Sequence, residues 1–106
     1  MAVRTAELVN GTAAVGVVVA VATVPSGETW IIKEAIAYSA PGTPRAFLAG
    51  RRGSLDVPFL DTPLAAAASV RHERWMVLEP GDQIVAYAQS SAFIYWVSGT
   101  KLSGVA

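Results

Sequence analysis

The sequence contains no cysteine and only one histidine, His72. The lack of cysteine excludes a disulfide framework, a thiolate nucleophile and a zinc site built on cysteines. A single histidine excludes a metal site that needs several histidine ligands. We therefore expect no metal or other cofactor, and the chain must be stabilised by packing, hydrogen bonding or association.

Charged residues are scarce and balanced in sign. They make up 15% of the chain, against about 25% in ordinary soluble domains. Eight basic residues offset eight acidic ones, so there is no net field to hold a polyanion. Nucleic-acid binding as the main task is therefore disfavoured.

Long hydrophobic runs are also missing. The most hydrophobic stretch, Thr12–Val24, has 13 residues, whereas a transmembrane helix needs roughly 20. A signal peptide with Arg4 before the run and a small-residue site near Ala22 is disfavoured, because Glu7 and Asn10 interrupt the approach and valine favours strand over helix. We expect no membrane partner.

Motifs that would indicate catalysis are absent from the sequence. No G-x-S-x-G elbow, G-x-x-x-x-G-K-[ST] loop or G-x-G-x-x-G turn occurs. We interpret His72 as a strand residue beside solvated charges. Glu34 lies among apolar residues, and we expect it to pair with a neighbouring strand or an interface arginine, with a perturbed catalytic carboxylate as the alternative. The sequence thus predicts a protein that is not an enzyme.

Apolar residues are abundant, at 53% of the chain. A chain of 106 residues is expected to form one domain, spanning residues 1–106, which buries roughly two-thirds of the surface that the unfolded chain exposes. One small core cannot absorb this excess of alanine and valine. We therefore expect part of the apolar surface to face other chains in an obligate assembly.

The last third of the chain, His72–Gly99, holds three apolar runs separated by Glu79–Asp82 and Gln89–Ser91. Pro80-Gly81-Asp82 favours a tight turn, and the Val, Ile, Tyr, Phe and Trp residues that follow fit a pleated sheet. We predict a three-stranded antiparallel meander here. The fold class predicted is all-β: an antiparallel β-sandwich, jelly-roll-like, with about eight short strands and little or no helix.

The N-terminal part of the chain is also predicted to be extended. Residues 1–11 should form an arm or a short strand at Thr5–Val9, followed by an Asn10-Gly11 hairpin turn, and Thr12–Val24 should be a buried strand. Thr29–Ser39 is apolar on both alternating faces, which predicts a central strand. One face would carry Trp30, Ile32, Glu34, Ile36 and Tyr38.

Two turns in the sequence are similar. Val24–Ile31 and Leu78–Val85 each place a Pro/Gly turn and an acidic residue before an apolar strand. We interpret them as similar corners in the two halves of a sandwich.

Residues 40–63 form a Pro/Gly-rich loop region that holds four of the six prolines. A short strand is expected at Arg45–Ala49 and an edge strand near Val57–Leu60, because proline cannot donate to a β-ladder. Leu64–Val70 remains open between a helical turn and a strand.

Two groups of residues are candidates for contact with other molecules. The basic segment Arg51-Arg52-Gly53 is either a solvated loop or an inter-subunit loop that forms salt bridges with a partner's carboxylates. The second group is aromatic, and we interpret its members as core or interface anchors, with a carbohydrate-binding platform as the alternative. They are Trp75, Tyr87, Phe93, Tyr95 and Trp96. The candidate interface residues are Arg45, Arg51, Arg52, Trp75, Tyr87, Tyr95 and Trp96, and no catalytic, cofactor or metal residue is predicted.

Three segments together carry a family resemblance. They are Val24–Lys33 (VPSGETWIIK), Leu78–Ile84 (LEPGDQI) and Trp96–Gly99 (WVSG). The chain resembles the small β-sandwich virion proteins of tailed bacteriophages, in which a VP-G-TW-IK start, an L-PGD-I turn and a terminal V-SG strand recur. The match covers roughly residues 20–100 and consists of turn and strand motifs.

This resemblance implies a structural protein of a phage particle, with no catalytic residues to carry over. It implies a capsid decoration or minor capsid protein that oligomerises, with a trimer favoured, and binds the major capsid protein or other virion proteins. Its location would be the virion, assembled in the host cytoplasm. A tail or neck accessory subunit and a receptor- or carbohydrate-binding module are the alternatives.

Overall fold

The computed structural model of the protein describes residues 2–39, 42, 44–65, 68–73 and 75–103, and of residues 2–4 only the backbone. Within these residues the regular structure consists of β-strands, with no helix. The strands are β1 (Ala2–Thr12), β2 (Val19–Thr23), β3 (Glu28–Tyr38), β4 (Arg45–Arg52), β5 (Leu55–Pro63), β6 (Ser69–His72), β7 (Met76–Leu78), β8 (Gln83–Gln89) and β9 (Ile94–Ser103).

The strands form two antiparallel sheets that pack into a sandwich. Sheet A has the order β1-β9-β3-β6, and β7 pairs with the part of β3 that β6 does not reach. Sheet B has the order β2-β8-β4-β5. The predicted all-β sandwich is therefore confirmed.

The order of pairing is that of a jelly roll. If β6 and β7 are counted as one interrupted strand, the first strand pairs with the last, the second with the last but one, and so on to the β4–β5 hairpin. The chain is thus one long antiparallel ribbon wound into two layers. The prediction of about eight strands is close, since the split of one edge strand makes nine in the described part of the chain.

The core lies between the two sheets and is filled by the inward positions of both. Its largest buried side chains include Trp30, Ile32, Leu48, Phe59, Leu60, Ile84, Phe93, Tyr95 and Val97.

The predicted meander in His72–Gly99 is wrong. β7 pairs with β3, β8 pairs with β2 and β4, and β9 pairs with β1 and β3. The turn at Glu79–Asp82 carries the chain from sheet A to sheet B, so strands that follow one another in sequence are not neighbours in a sheet. Turn chemistry alone does not distinguish a hairpin from a corner between sheets.

The two similar turns are corners, as predicted, and they lie against each other. One leads from β2 in sheet B to β3 in sheet A, and the other leads from β7 in sheet A to β8 in sheet B. The Val24 N–H donates to the Asp82 carbonyl (2.9 Å), and the Gly81 N–H donates to the Val24 carbonyl (3.0 Å). The two crossings therefore close the same end of the sandwich.

The predicted Asn10-Gly11 hairpin turn is also wrong, because β1 runs through both residues to Thr12. Asn10 and Gly11 pair with Trp96 and Tyr95 of β9. A Cβ on Gly11 would lie 2.8 Å from the Tyr95 Oη. The glycine makes room for a ring that packs over the strand.

The hydrophobic run Thr12–Val24 is not the buried strand that its composition predicts. β2 begins only at Val19, and the valines at 15, 17, 18 and 19 are exposed, while Ala13 and Val24 near the ends of the run are buried. Its strand lies at the edge of sheet B, where one side of the ladder has no neighbour among the described strands.

The predicted face of β3 is correct only up to a bulge. The register of β3 against β9 shifts between Ile32 and Glu34, so an extra residue changes which side chains point inward. Trp30 and Ile32 face the core before the bulge, whereas Ala35 and Ala37 face it afterwards. Ile36 and Tyr38 therefore lie on the outer face, opposite to the prediction.

The middle of the chain is more regular than predicted. Residues 45–63 form the β4–β5 hairpin with a tight turn at Gly53-Ser54 in place of a long loop. The predicted edge position of β5 is confirmed. In Leu64–Val70, Ser69 and Val70 belong to β6, and Ala66 and Ala67 lie outside the described residues.

Candidate interaction surfaces

Four apolar side chains lie together on the outer face of sheet A. Trp96 of β9 pairs with Ile36 of β3, and Ile94 pairs with Tyr38. Residues that pair directly across an antiparallel ladder share a face. Tyr38, Ile94 and Trp96 keep 39%, 49% and 47% of their surface exposed, and Ile36 is half-buried. We call Ile36, Tyr38, Ile94 and Trp96 the aromatic patch.

Polar residues flank the aromatic patch on both sides. On the β1 side, Asn10 lies opposite Trp96, and its amide donates to the Glu7 carboxylate. On the β6 side, Arg71 lies opposite Ile36, and its Nε donates to Glu34 Oε2 at 2.9 Å. An apolar centre with a polar rim is the usual anatomy of a protein interface.

Glu34 therefore forms a structural ion pair, which is the role that the sequence favours over a catalytic one. It pairs with an arginine of the neighbouring strand β6, as predicted, and Arg71 also approaches Glu73 at 3.5 Å. His72 is half-buried in β6 opposite Ala35.

The predicted aromatic contact residues are scattered across the molecule. Trp75 is 74% exposed between β6 and β7, and the Lys33 ammonium lies 4.9 Å from its ring centroid. Tyr87 is half-buried on the outer face of sheet B beside its pairing partner Phe47. Of the four aromatic candidates, Trp96 alone belongs to the aromatic patch.

The placement of Tyr95 at an interface is wrong. Tyr95 is 4% exposed and lies in the core, with its ring at 6.2 Å from that of Phe93 in an edge-on arrangement. Burial raises the pKa of its hydroxyl. Alternation along β9 directs Tyr95 inward and Trp96 outward, so the two neighbours cannot both serve a surface.

The three predicted arginines lie in β4 and bind carboxylates of the same chain. Arg45 pairs with Asp61 (2.9 Å), and Arg51 makes two bonds to Asp56 across the hairpin (2.6 and 2.9 Å). The Arg52 Nη2 donates to Asp82 Oδ2 at 2.7 Å. Arg51 and Arg52 are thus strand residues with partners in the same chain, and not loop residues as predicted, whereas Arg45 lies in a strand as predicted.

Asp82 holds the β7–β8 corner together. Its carboxylate accepts from Arg52 and from the Glu79 backbone N–H (2.9 Å), and its side chain is 7% exposed. The hydrogen bond from Arg52 lowers the pKa of Asp82 against the opposing effect of burial. The bonds from Arg51 lower the pKa of Asp56 in the same way. Such carboxylates stay ionised at neutral pH and are poor proton donors.

A small cleft opens between the β4–β5 hairpin and β7. Its volume is about 210 Å³, and it is lined by Gly50, Arg51, Arg52, Leu55, Val57, Met76, Val77, Leu78 and Asp82. Ligand pockets usually measure roughly 300–1,000 Å³. This cleft is smaller than a typical ligand pocket.

Among the described residues, no group of three or more His, Cys, Asp and Glu side chains converges in a way that could hold a metal ion. In the same part of the chain, no helix is long and apolar enough to cross a membrane.

Three members of the aromatic patch, Ile36, Tyr38 and Ile94, were not among the contact residues predicted from the sequence. The outward position of Ile94 could have been predicted, because strand alternation places it on the same face as Trp96. The outward positions of Ile36 and Tyr38 depend on the bulge in β3, and the sequence carries no local sign of that bulge.

Comparison with known proteins leaves the chain without a family. No family model matches it, and no curated protein matches it. One chain in a structure of the infectious bursal disease virus Gx strain superposes on 97% of this chain at 13% sequence identity, with a TM-score of 0.39. This chain spans 32% of the viral chain, and a likeness this remote carries no argument about function.

Proposed function

We propose that this protein is a non-enzymatic structural subunit of a virion, which oligomerises and binds the particle surface. A capsid decoration or minor capsid protein of a tailed bacteriophage is the specific form we favour, with the major capsid protein or another virion protein as its partner. A tail or neck accessory position is the alternative. The subunit would reach the virion by assembly in the host cytoplasm.

The observation that carries this proposal is the aromatic patch. A sandwich needs one apolar face per sheet, and sheet A uses its inner face for the core. The outer face nevertheless presents Tyr38, Ile94 and Trp96 at 39–49% exposure. Exposed apolar clusters with a polar rim mark sites where another protein binds.

The charges beside the aromatic patch indicate the chemistry of the partner. Glu7 lies on the β1 side of the aromatic patch, and Glu34 and Glu73 lie beside Arg71 on the β6 side. Three carboxylates and one guanidinium give the margin an excess of negative charge. We expect the partner surface to be apolar in the centre and basic at its rim.

The ion pairs add support for a structural role. Asp82 lines the cleft, and Asp56 pairs with Arg51, which also lines it. Each carboxylate is held ionised by an arginine that also fixes its position. Groups arranged in this way join elements of the fold to each other.

The direct test is a mass-spectrometric inventory of purified particles of the virus that encodes this chain. We expect the protein to be present, with a copy number that distinguishes decoration (many copies) from a neck or tail ring (few copies). Absence of the protein from purified particles would contradict the proposal.

A binding measurement tests the surface. Trp96→Ala should reduce affinity for particles that lack the protein by about tenfold or more, since a buried interface tryptophan is worth about 2 kcal/mol. Trp75→Ala removes an equally large exposed ring outside the aromatic patch and should bind as the unaltered protein does. Equal losses in the two variants would argue against the aromatic patch as the contact.

A carbohydrate- or receptor-binding module is a second candidate, favoured by one observation. Tyr38 and Trp96 are diagonal neighbours on an exposed sheet face, with Arg71 and Asn10 beside them, and aromatic rings flanked by polar groups suit a sugar ring. Glycan binding that Trp96→Ala abolishes without loss of folding would favour this candidate over the structural one.

A further inference from the structure

The most apolar segment of the chain is also one of its most exposed. Between Glu7 and Glu28 the sequence has no charged residue. Within this stretch, the exposed fractions of Val15, Val17, Val18 and Val19 are 50%, 57%, 42% and 38%. The core therefore does not explain why these valines are apolar.

These valines accompany a free strand edge. β2 ends the order of sheet B and pairs with β8 alone among the described strands. The chain just before β2 also contacts β8 through a single parallel bridge at Val15, where the Gly16 N–H donates to the Ala88 carbonyl (2.9 Å) and the Ala88 N–H donates to the Ala14 carbonyl (3.1 Å), and then turns at Gly16 before β2 begins. The other side of β2 presents unpaired backbone groups to its surroundings, as the edge of any sheet does.

The other edges of the two sheets carry features that discourage pairing with a further strand. β5 contains Pro58 and Pro63 and two aspartates, and proline and charge both block a ladder. The edge formed by β6 and β7 is broken into two short strands, and β6 carries the charged residue Arg71. β1 carries Glu7 at a bulge.

The β2 edge has a bulge between Ala20 and Ala22 but neither a charge nor a proline. A bulge twists an edge and makes pairing less regular, but in β2 no charged side chain or proline adds to that effect. Among the edges described, β2 is the one whose sequence permits a neighbour.

The lack of charge also indicates which neighbour fits. When a strand pairs with a second copy of itself about a two-fold axis, its residues face residues of the same strand, so a strand with charges of one sign opposes like charges. A strand of valine, alanine and threonine has no such cost. β5, by contrast, would bring its aspartates Asp56 and Asp61 toward those of its copy.

We propose that β2 pairs antiparallel with β2 of a second copy of this chain, with Val15–Val18 lying beside the contact. The four strands of sheet B from each copy then form one continuous sheet across a two-fold axis. The pairing satisfies the free backbone groups and covers valines that are otherwise exposed to water. A symmetric dimer is an economical way to protect an apolar edge.

The inference deepens the proposed function, because it names the surface through which copies associate and rests on the oligomerisation proposed there. The two-fold symmetry of this dimer differs from the trimer that the family resemblance implied. It also leaves the aromatic patch of sheet A free to bind the particle.

The test is light scattering with size-exclusion chromatography on the full chain over a range of concentrations. We expect a mass approaching twice the 11.1 kDa of one chain as concentration rises. Val19→Lys should shift the midpoint of dimerisation at least tenfold toward higher concentration. Val57→Lys places the same charge at a 47% exposed valine on the opposite edge of sheet B and should leave dimerisation unchanged.

A charge-swap experiment makes the test specific to self-pairing. Val19→Lys and Val19→Glu alone should each be monomeric at concentrations where the unaltered chain dimerises, and an equimolar mixture of the two should restore the dimer there. If Val19→Lys does not fold, Val17→Lys replaces it, because Val17 precedes β2 and is 57% exposed.

Three outcomes would overturn the proposal: a monomer at every concentration, a dimer that Val19→Lys leaves intact, or equal weakening by Val57→Lys. The first outcome includes a chain that stays monomeric on its own and pairs its β2 edge with a strand of a different virion protein. The proposed function fails separately, through absence of the protein from purified particles, and that result would leave a β2 dimer untouched.

Discussion

At the scale of single residues, Tyr95 and Trp96 show how alternation divides an aromatic run between core and surface. The Tyr95 ring packs over Gly11 of β1 and against Phe93, and it is almost fully buried. Trp96, one residue later, leaves 47% of its surface exposed on the outer face of sheet A. Both side chains are large and aromatic, so the choice between core and surface is made by the direction in which each Cα–Cβ bond points from the strand.

Replacement of these two residues should therefore have different effects on stability. Tyr95→Ala is expected to lower the free energy of unfolding by about 3–5 kcal/mol, because it leaves a cavity between the sheets. Trp96→Ala should lower it by about 1 kcal/mol or less. Urea denaturation followed by circular dichroism measures both. A larger loss for Trp96→Ala than for Tyr95→Ala would contradict the assignment of core and surface.

At the scale of elements, the bulge in β3 decides what sheet A shows to the outside. The bulge lies opposite Gly99 of β9, where a Cβ would lie 1.9 Å from the Ile31 carbonyl oxygen. Because the ladder has no room for a side chain there, the glycine is a requirement of the bulge. Past this point β3 turns its alanines inward and sends Ile36 and Tyr38 to the outer face.

Gly99→Ala should consequently be among the most damaging small substitutions in the chain. We expect a loss of about 3 kcal/mol or more, since the clash is with backbone that cannot move without breaking the β3–β9 ladder. Gly27→Ala provides the comparison, because that position has a positive φ of 82° and open space around it. Its expected cost is about 1 kcal/mol, and thermal denaturation of both variants would show whether the order is reversed.

At the scale of the whole molecule, Arg52 and Asp82 connect the hairpin of sheet B to the corner between the sheets. Asp82 also accepts the Glu79 N–H, and its carbonyl accepts the Val24 N–H of the adjacent corner. Asp82 thus contacts both crossings that close this end of the sandwich, the β7–β8 corner through its carboxylate and the β2–β3 corner through its backbone carbonyl. Its charge state should influence the stability of the entire fold.

This arrangement predicts sensitivity to acid. The hydrogen bond from Arg52 holds the pKa of Asp82 in the folded chain below its ordinary value near 3.8. As the pH falls, the unfolded chain takes up the proton first, so the stabilisation is complete above about pH 4 and is lost as the pH falls through the folded pKa. Asp56, whose pKa is lowered by Arg51, changes in the same direction.

Denaturant titrations at neutral pH and at about pH 3 would measure this loss. Asp82→Asn should lose less stability between the two conditions than the unaltered protein, because the titrating group is gone. At neutral pH it should already be less stable, by about 1–3 kcal/mol. Asp61→Asn, which affects an exposed pair with Arg45, should change stability by less than about 1 kcal/mol. A steeper acid response in Asp82→Asn would refute this account.

Several features of this protein follow from local properties of the sequence. β-branched and aromatic residues fix strand structure over most of the chain, proline keeps β5 at an edge, and the turns at Val24 and Pro80 are placed by proline and glycine. The scarcity of charged residues and the abundance of apolar ones predicted apolar surface outside the core. Each of these inferences depends on a residue and its near neighbours, which are present in the sequence itself.

Other features depend on which strands meet, and only the tertiary structure decides them. The Asn10-Gly11 pair is typical of a hairpin but serves instead to admit the Tyr95 ring from β9. The bulge that moves Tyr38 outward exists because β3 pairs with β9 around Gly99. The sequence by itself determined an all-β chain with more apolar surface than one core needs. The pairing of distant strands determined that this surplus lies on the outer face of sheet A and along the edge of β2, because each strand's inward side is set by its partners and not by its own composition.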